Sequence, residues 1–152
     1  MNIKMLSHLL EVGVVMGVLG ITVFLVTLYS GGWHYGESLS SSSKLYFGGT
    51  AAVYSTLVLC QAANAFSCRS RRDSIFKIGL FSNLWLIFAE IISAIMLWAI
   101  IFFPPLRETF RIAPPPPFVW ILIFASFFIF LIIFETRKKY LLSVQKKEDK
   151  RD

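Results

Sequence analysis

The polar side chains most able to do chemistry in this 152-residue chain are two amides inside an apolar run. Gln61 and Asn64 lie three residues apart, so they share one face if the run is helical. Their oxygens suit a hard cation such as Na⁺ or Ca²⁺, which is bound by oxygen ligands. Two amides supply only part of such a site. The competing interpretation is hydrogen bonding between helices, which is common for Asn and Gln in membrane bundles.

Carboxylates stand at two further places in apolar sequence. Glu90 interrupts one run, and a carboxylate there is expected to face protein or water rather than lipid. Ser93 follows three residues later and shares its helical face. Glu135 ends another run and is followed by three basic residues at 137–139, which predicts an ion-pair network at the membrane interface.

Other kinds of chemistry find no support in the residues. The two histidines, His8 and His34, are predicted to lie on opposite sides of a membrane, and the chain has neither a phosphate-binding loop nor metal-type Cys/His spacing. Cys60 and Cys68 would be about 12 Å apart along a helix, which is too far for a disulfide. We therefore predict no catalytic residue and no resident cofactor in this chain, and two reduced cysteines.

These residues lie within long apolar runs. Apolar residues make up 56% of the chain and aromatic residues 16%, a composition typical of a membrane protein. A spanning helix needs about 20 mostly apolar residues. The sequence predicts an all-α membrane protein with four transmembrane helices, at residues 12–30, 47–66, 84–103 and 118–134. Prolines at 104–105 and 114–117 predict a rigid loop between the last two.

Basic residues sort by loop and predict the orientation. Twelve of the fifteen Lys and Arg residues fall before the first span, between the second and third, or after the fourth. Because short basic loops stay in the cytoplasm, both termini are predicted to be cytoplasmic. The chain then divides into a cytoplasmic segment (1–11), a transmembrane bundle (12–136) and a basic cytoplasmic tail (137–152). This asymmetry accounts for most of the net charge of +6, so the expected partner is the lipid bilayer and not nucleic acid.

Four stretches, in order, resemble one family of membrane proteins. LCQAANAFSCRSRRDSIF at 59–76 resembles the eighth span and following loop of P-type cation-transporting ATPases of the calcium and sodium–potassium pump type. LFSNLW at 80–85 resembles the start of their ninth span, FPPLRETF at 103–110 their last outer loop, and FETRK at 134–138 the end of their tenth span. Order and spacing agree from about residue 8 to residue 140.

The resemblance implies roles for particular residues. Gln61 and Asn64 fall where family members place side chains that bind the transported cation, of the Ca²⁺ or Na⁺/K⁺ class, in an assembled pump. Glu90 falls about one turn nearer the cytoplasm than the acidic position in the family's ninth span, so it is only a further polar candidate. Small residues at Gly13, Gly17 and Gly20 resemble the seventh span, which packs against the fifth.

The family's ATP-hydrolysing parts are not in these 152 residues. Its phosphorylated aspartate stands in the pattern Asp-Lys-Thr-Gly, which does not occur here, and the nucleotide domain and first six spans have no counterpart. We therefore expect a split or truncated pump portion in the plasma membrane. It would be inactive alone and associate with the front part of a P-type ATPase. The alternatives are a non-enzymatic four-span subunit that regulates a transporter, and an unrelated carrier or channel.

Overall fold

The computed structural model describes residues 3–41, 43–69, 79 and 83–148. Within them the chain forms five helices: α1 (Ile3–Ser30), α2 (Lys44–Ser67), α3 (Leu84–Phe102), α4 (Pro104–Phe110) and α5 (Val119–Glu148). The all-helical class is as predicted. The basic residues at 71, 72, 77, 150 and 151, which contribute to the predicted orientation, lie outside the described residues.

Local sequence sets several helix ends. Ser43 accepts a hydrogen bond from the Tyr46 amide at 3.1 Å and caps α2, and Asn83 caps α3 in the same way. The prediction of a rigid loop beginning at Pro104-Pro105 was wrong, because these prolines begin the short helix α4. Proline is tolerated in the first helical turn, where its missing N–H would have no partner inside the helix. Arg111 ends α4 in the left-handed conformation, with φ of 51°.

Helix α2 lies at the centre of the fold and packs against α1 on one side and α5 on the other. Its buried positions are small residues, which let both neighbours approach closely: Gly48, Gly49, Ala51, Ala52, Ser55, Thr56, Cys60, Ala63 and Ser67. Larger apolar side chains of α1 and α5 pack against these small residues. Helix α3 contacts α2 near its C-terminal end, which is the predicted outer end, and there Ile101 is buried against Ala51 and Ile112.

Three of the four predicted spans form helices long and apolar enough to cross a membrane: Leu6–Ser30, Leu84–Phe102 and Val119–Tyr140. Helix α2, which contains the predicted second span, falls short of that composition because its buried side is glycine, alanine and hydroxyl residues. Four membrane crossings with cytoplasmic ends therefore stay a prediction. Helix α5 continues beyond the predicted last span into the basic tail, as far as Glu148.

Buried hydroxyls do not make a polar channel through this core. The side chains of Thr27, Ser55 and Thr56 each donate to the carbonyl four residues earlier in the same helix, at 2.7–2.8 Å. Ser126 does the same on α5 at 2.9 Å. Since each hydroxyl is satisfied inside its own helix, these residues add small volume to the interface at little desolvation cost.

Two adjacent glycines of α2, Gly48 and Gly49, lie at the predicted outer end of the bundle. The Gly49 Cα faces the ring of Phe24, which would lie 2.8 Å from an added Cβ. The Phe24 ring also meets Tyr46 edge-on at a centroid distance of 6.1 Å. An added Cβ on Gly48 would meet the Pro114 carbonyl oxygen at 3.9 Å and the Pro115 Cα at 4.0 Å, which is ordinary contact. The proline loop is held nearby, where the Ala113 amide donates to the Phe47 carbonyl at 3.3 Å.

This arrangement predicts opposite effects of one substitution at neighbouring positions. Both glycines are helical, so alanine gains about 1 kcal/mol of helix propensity at either position. At Gly49 that gain is outweighed by overpacking against Phe24, which typically costs about 1–3 kcal/mol. We expect Gly48→Ala to keep or raise the thermal stability of the detergent-solubilised protein and Gly49→Ala to lower it. Equal melting temperatures for the two variants would contradict this packing.

The orientation is testable with two thiols at opposite ends of α2. Ser41→Cys places a thiol in the exposed loop before the helix, and native Cys68 lies exposed directly after it. If α2 spans the membrane as predicted, a membrane-impermeant maleimide added to intact cells will label Ser41→Cys but not Cys68. Both thiols should react after permeabilisation. Labelling of Cys68 alone would reverse the orientation, and labelling of both in intact cells would argue against α2 as a span.

Candidate functional site

The two predicted cation ligands lie on the last two turns of α2. Gln61 is exposed and Asn64 is half-buried, whereas Cys60 and Ala63 on the other side of the helix are fully buried against Phe130. The Asn64 side-chain oxygen accepts a weak hydrogen bond from the Cys68 thiol at 3.4 Å. Within the described residues, neither amide forms a hydrogen bond to another helix. Both amides therefore lie outside the packed core of this chain.

An open apolar groove lies between α2 and α3. The groove, about 260 Å³ in volume, is lined by Tyr54 and Val58 of α2 and by Ser93 and Leu97 of α3, among others. Along each helix the next turn toward the predicted cytoplasmic end carries one polar residue, Gln61 on α2 and half-buried Glu90 on α3. The structure thus places them at the same end of the groove, but no hydrogen bond or ion pair joins them among the described residues.

No complete metal site is formed by the described part of the chain. In those residues no group of three or more His, Cys, Asp and Glu side chains is close enough to hold a metal ion. Gln61 and Asn64 are also short of the six to eight oxygens that Ca²⁺ takes. Any cation bound at these amides would need ligands from elsewhere.

A cluster of charged residues ties α1 to α5 at the predicted cytoplasmic edge. The Arg137 guanidinium lies 2.7 Å from the Glu11 carboxylate and 3.0 Å from the His8 Nδ1 atom. The His8 ring meets the buried ring of Phe134 edge-on at a centroid distance of 5.7 Å. Arg137 thus bonds two residues one turn apart on α1, which fixes the relative height of the two helices.

A second contact of the cluster ties α5 to the end of α2. The Lys138 ammonium donates to the backbone carbonyl of Ser67, the last residue of α2, and to the Glu135 carboxylate at 3.0 Å. Helix α2 has no basic residue in its own last turn, so α5 supplies the cation that a helix carboxyl end favours. The side chains of Glu135 and Lys138 are only 11% and 16% exposed, and the second Glu135 oxygen is buried with no hydrogen-bond partner among the described residues.

The predicted ion pairing of Glu135 with the basic residues that follow it is confirmed by the contact with Lys138. The contacts that Arg137 and Lys138 make with α1 and α2 were not predicted. His8, Glu11 and Ser67 are far from Glu135 in sequence, and no local pattern indicates that they converge. The available signal was the opposite charge of Glu11 at the start of one apolar run and Arg137 at the end of another. Charge alone does not select one pairing among several basic residues, so the pairing depends on the packing of α1 against α5.

Comparison with known proteins identifies the family of this chain. A sequence profile described as "Cation transporting ATPase, C-terminus" matches residues 1–140, nearly the whole chain. The chain belongs to this family. It is accordingly a C-terminal membrane domain of the P-type cation ATPase type, and its apolar helices are those of an integral membrane protein.

Individual relatives agree with this assignment. The chain is 34% identical over 93 residues to the "Probable cation-transporting ATPase F" of Mycobacterium tuberculosis, covering 61% of this chain and 10% of that protein. It is 33% identical over 106 residues to the "Calcium-transporting ATPase 1" of Bacillus cereus, covering 66% of this chain and 12% of that protein. It is 37% identical over 71 residues to the "Calcium-transporting ATPase" of Bacillus subtilis, covering 47% and 8% respectively. The matches therefore span about a tenth of these relatives.

The two thiols offer a direct check of the site geometry. Both cysteines are free; Cys60 is buried, with its sulfur 3.9 Å from the Ser126 carbonyl, and Cys68 is exposed. We expect a maleimide to modify one thiol per chain in the folded, detergent-solubilised domain and two after denaturation, with Cys68 as the early site by peptide mass spectrometry. Cys68→Ser should remove the early reaction, and Cys60→Ala should leave it. Modification of Cys60 at the native rate of Cys68 would contradict the packing of α2 on α5.

Proposed function

We propose that this chain supplies part of the cation pathway of a P-type cation-transporting ATPase, as its C-terminal membrane portion. The observation that carries the proposal is the family match over residues 1–140. The named relatives are cation- or calcium-transporting ATPases, so a cation of the Ca²⁺ class is the first candidate for transport. The expected location is the plasma membrane.

The position of the two amides supports a ligand role. Gln61 is exposed on α2, and Asn64 uses its side-chain oxygen only for a weak thiol bond. A cation can therefore compete for both oxygens without breaking the bundle. Helices outside this chain would supply the remaining ligands, because these two amides do not complete a coordination shell. The half-buried Glu90 is a further candidate at the same end of the groove.

An uncovered stripe on α1 supports association with further helices. An added Cβ on Gly13 or Gly17 would meet nothing within 4 Å, whereas one on Gly20 would meet Val53 at 3.6 Å. The first two glycines therefore lie on a side of α1 that the described residues of this chain do not cover. Small residues let another membrane helix approach closely. We propose that the first six spans of the pump occupy this side.

ATP hydrolysis would be carried by sequence outside these 152 residues, on the same polypeptide or on a separate one. The phosphorylation pattern Asp-Lys-Thr-Gly is not among them. A reading frame directly upstream that encodes the phosphorylation domain would support a split pump. A complete pump elsewhere with its own last four spans would favour a regulatory subunit instead.

Ion titration tests the ligand role. The chain is assembled with the front part of a matching pump, and phosphorylation from ATP is measured against Ca²⁺ concentration. Loss of one oxygen ligand should cost about 1–3 kcal/mol, or roughly a 5- to 150-fold rise in the half-saturating concentration. We expect that rise for Gln61→Ala and for Asn64→Ala. The chain without the front part should form no phosphorylated intermediate.

A matched control separates ligand loss from damage to the helix. Thr50 is another polar residue of α2, and its hydroxyl donates within the helix to the Tyr46 carbonyl at 2.9 Å. Thr50→Val should leave the half-saturating Ca²⁺ concentration unchanged. Equal half-saturation for wild type, Gln61→Ala and Asn64→Ala would reject the ligand role. Phosphate incorporation into this polypeptide itself would reject the proposal that hydrolysis is carried elsewhere.

A further inference from the structure

The carboxyl end of α2 is held by a side chain of another helix. Asn64 lies one turn before this end, and its backbone carbonyl accepts the Cys68 amide at 2.8 Å. The backbone carbonyl of Ser67, three residues further on, accepts a hydrogen bond from the Lys138 ammonium of α5. Ser67 itself is only 4% exposed. The turn that carries a proposed cation ligand is therefore fixed from outside its own helix.

The position of Lys138 is itself set by a largely buried ion pair. Its ammonium pairs with Glu135 three residues earlier on α5, and both side chains lie almost wholly inside the bundle. The neighbouring Phe134 is buried against Phe130 at a ring-centroid distance of 4.5 Å, which anchors this turn of α5. Solvent screening of the pair is weak at this depth. The ammonium thus has a defined position relative to the core.

From these contacts we infer that Lys138 is a positioning residue for Asn64. By capping the Ser67 carbonyl it keeps the last turn of α2 helical, and so sets where the Asn64 side-chain oxygen lies relative to the helices that complete the cation site. The inference rests on the proposed ligand role of Asn64. It adds a second consequence: the cytoplasmic end of α5, which carries no proposed ligand, controls cation affinity.

The test compares adjacent lysines in the assembled pump. Lys139 is exposed, next in sequence and equal in charge, so Lys139→Ala is a matched control for Lys138→Ala. We expect Lys138→Ala to raise the half-saturating Ca²⁺ concentration for phosphorylation by roughly 2- to 30-fold, the range of off-site coupling effects. The maximal phosphorylation level per folded pump should stay the same. Lys138→Arg, which keeps a cationic donor, should recover most of the wild-type affinity.

A double-mutant comparison separates positioning from general stabilisation. If Lys138 acts through Asn64, Lys138→Ala should change the half-saturating concentration by less than about 2-fold in the Asn64→Ala background, because the group being positioned is already gone. Cys68, the residue after Ser67, reports the same turn directly. Its alkylation by maleimide, assigned by peptide mass spectrometry, should be faster in Lys138→Ala than in wild type or Lys139→Ala.

A variant without an unpaired buried charge covers the case in which Lys138→Ala does not fold. Glu135→Gln combined with Lys138→Met removes both charges at similar volume, which avoids leaving Glu135 buried alone. It should show the same rise in half-saturating Ca²⁺ concentration and the same faster alkylation.

The outcomes distinguish this inference from the proposed function. A raised half-saturating concentration for Asn64→Ala, together with wild-type values for both charge-removing variants, would overturn the positioning role and leave the ligand role standing. A Lys138→Ala effect that persists in full without Asn64 would also overturn it. Wild-type half-saturation for Asn64→Ala would reject the ligand role and the inference with it.

Discussion

The close approach of α2 to α1 and α5 is the contact on which the rest of the structure depends. It requires small side chains along α2, and the buried positions of that helix are glycine, alanine, serine, threonine and cysteine. The requirement is strictest at Gly49, where the Phe24 ring occupies the space that a Cβ atom would need. Dispersion contacts fall off quickly with separation, so even a small spacing change here would weaken both interfaces.

This packing explains why the central helix contains the most polar of the four predicted spans, at residues 47–66. Hydroxyl residues provide small volume, and the buried hydroxyls of Ser55 and Thr56 each donate to the backbone of their own helix. The larger side chains of α1 and α5 supply the apolar surface instead. Helix α2 accordingly falls short of the composition of the three candidate membrane spans in the described residues.

The two ends of the bundle are held by different interactions. At the outer end the proline loop lies against Gly48 through backbone contacts, which do not depend on charge. At the other end the contacts from α5 to α1 and α2 run through Arg137 and Lys138. The contact of Lys138 with Ser67 lies about one helical turn from Asn64, which is one of the two proposed cation ligands.

The sequence by itself determined the elements of this protein. Apolar run lengths predicted four transmembrane helices, of which three are long and apolar enough to span a membrane in the described residues, and ordered motifs at 59–76, 80–85, 103–110 and 134–138 identified the family. Glu135 followed by basic residues predicted an interfacial ion-pair network, because opposite charges three or four residues apart at the end of an apolar helix can pair with each other. These conclusions follow from local composition, which does not require knowing how helices pack.

Only the tertiary structure decided which residues meet. The sequence treated Pro104-Pro105 as loop, although their position after a capped helix end allows them to begin α4. It paired Gln61 with Asn64 by helical spacing, but the packing of α2 decided that Gln61 is exposed and Asn64 half-buried. Nor did spacing indicate that Lys138 would cap a helix ending 71 residues earlier. Such contacts depend on the rotation and height of whole helices, which are set by the sum of many small packing terms and by no single local pattern.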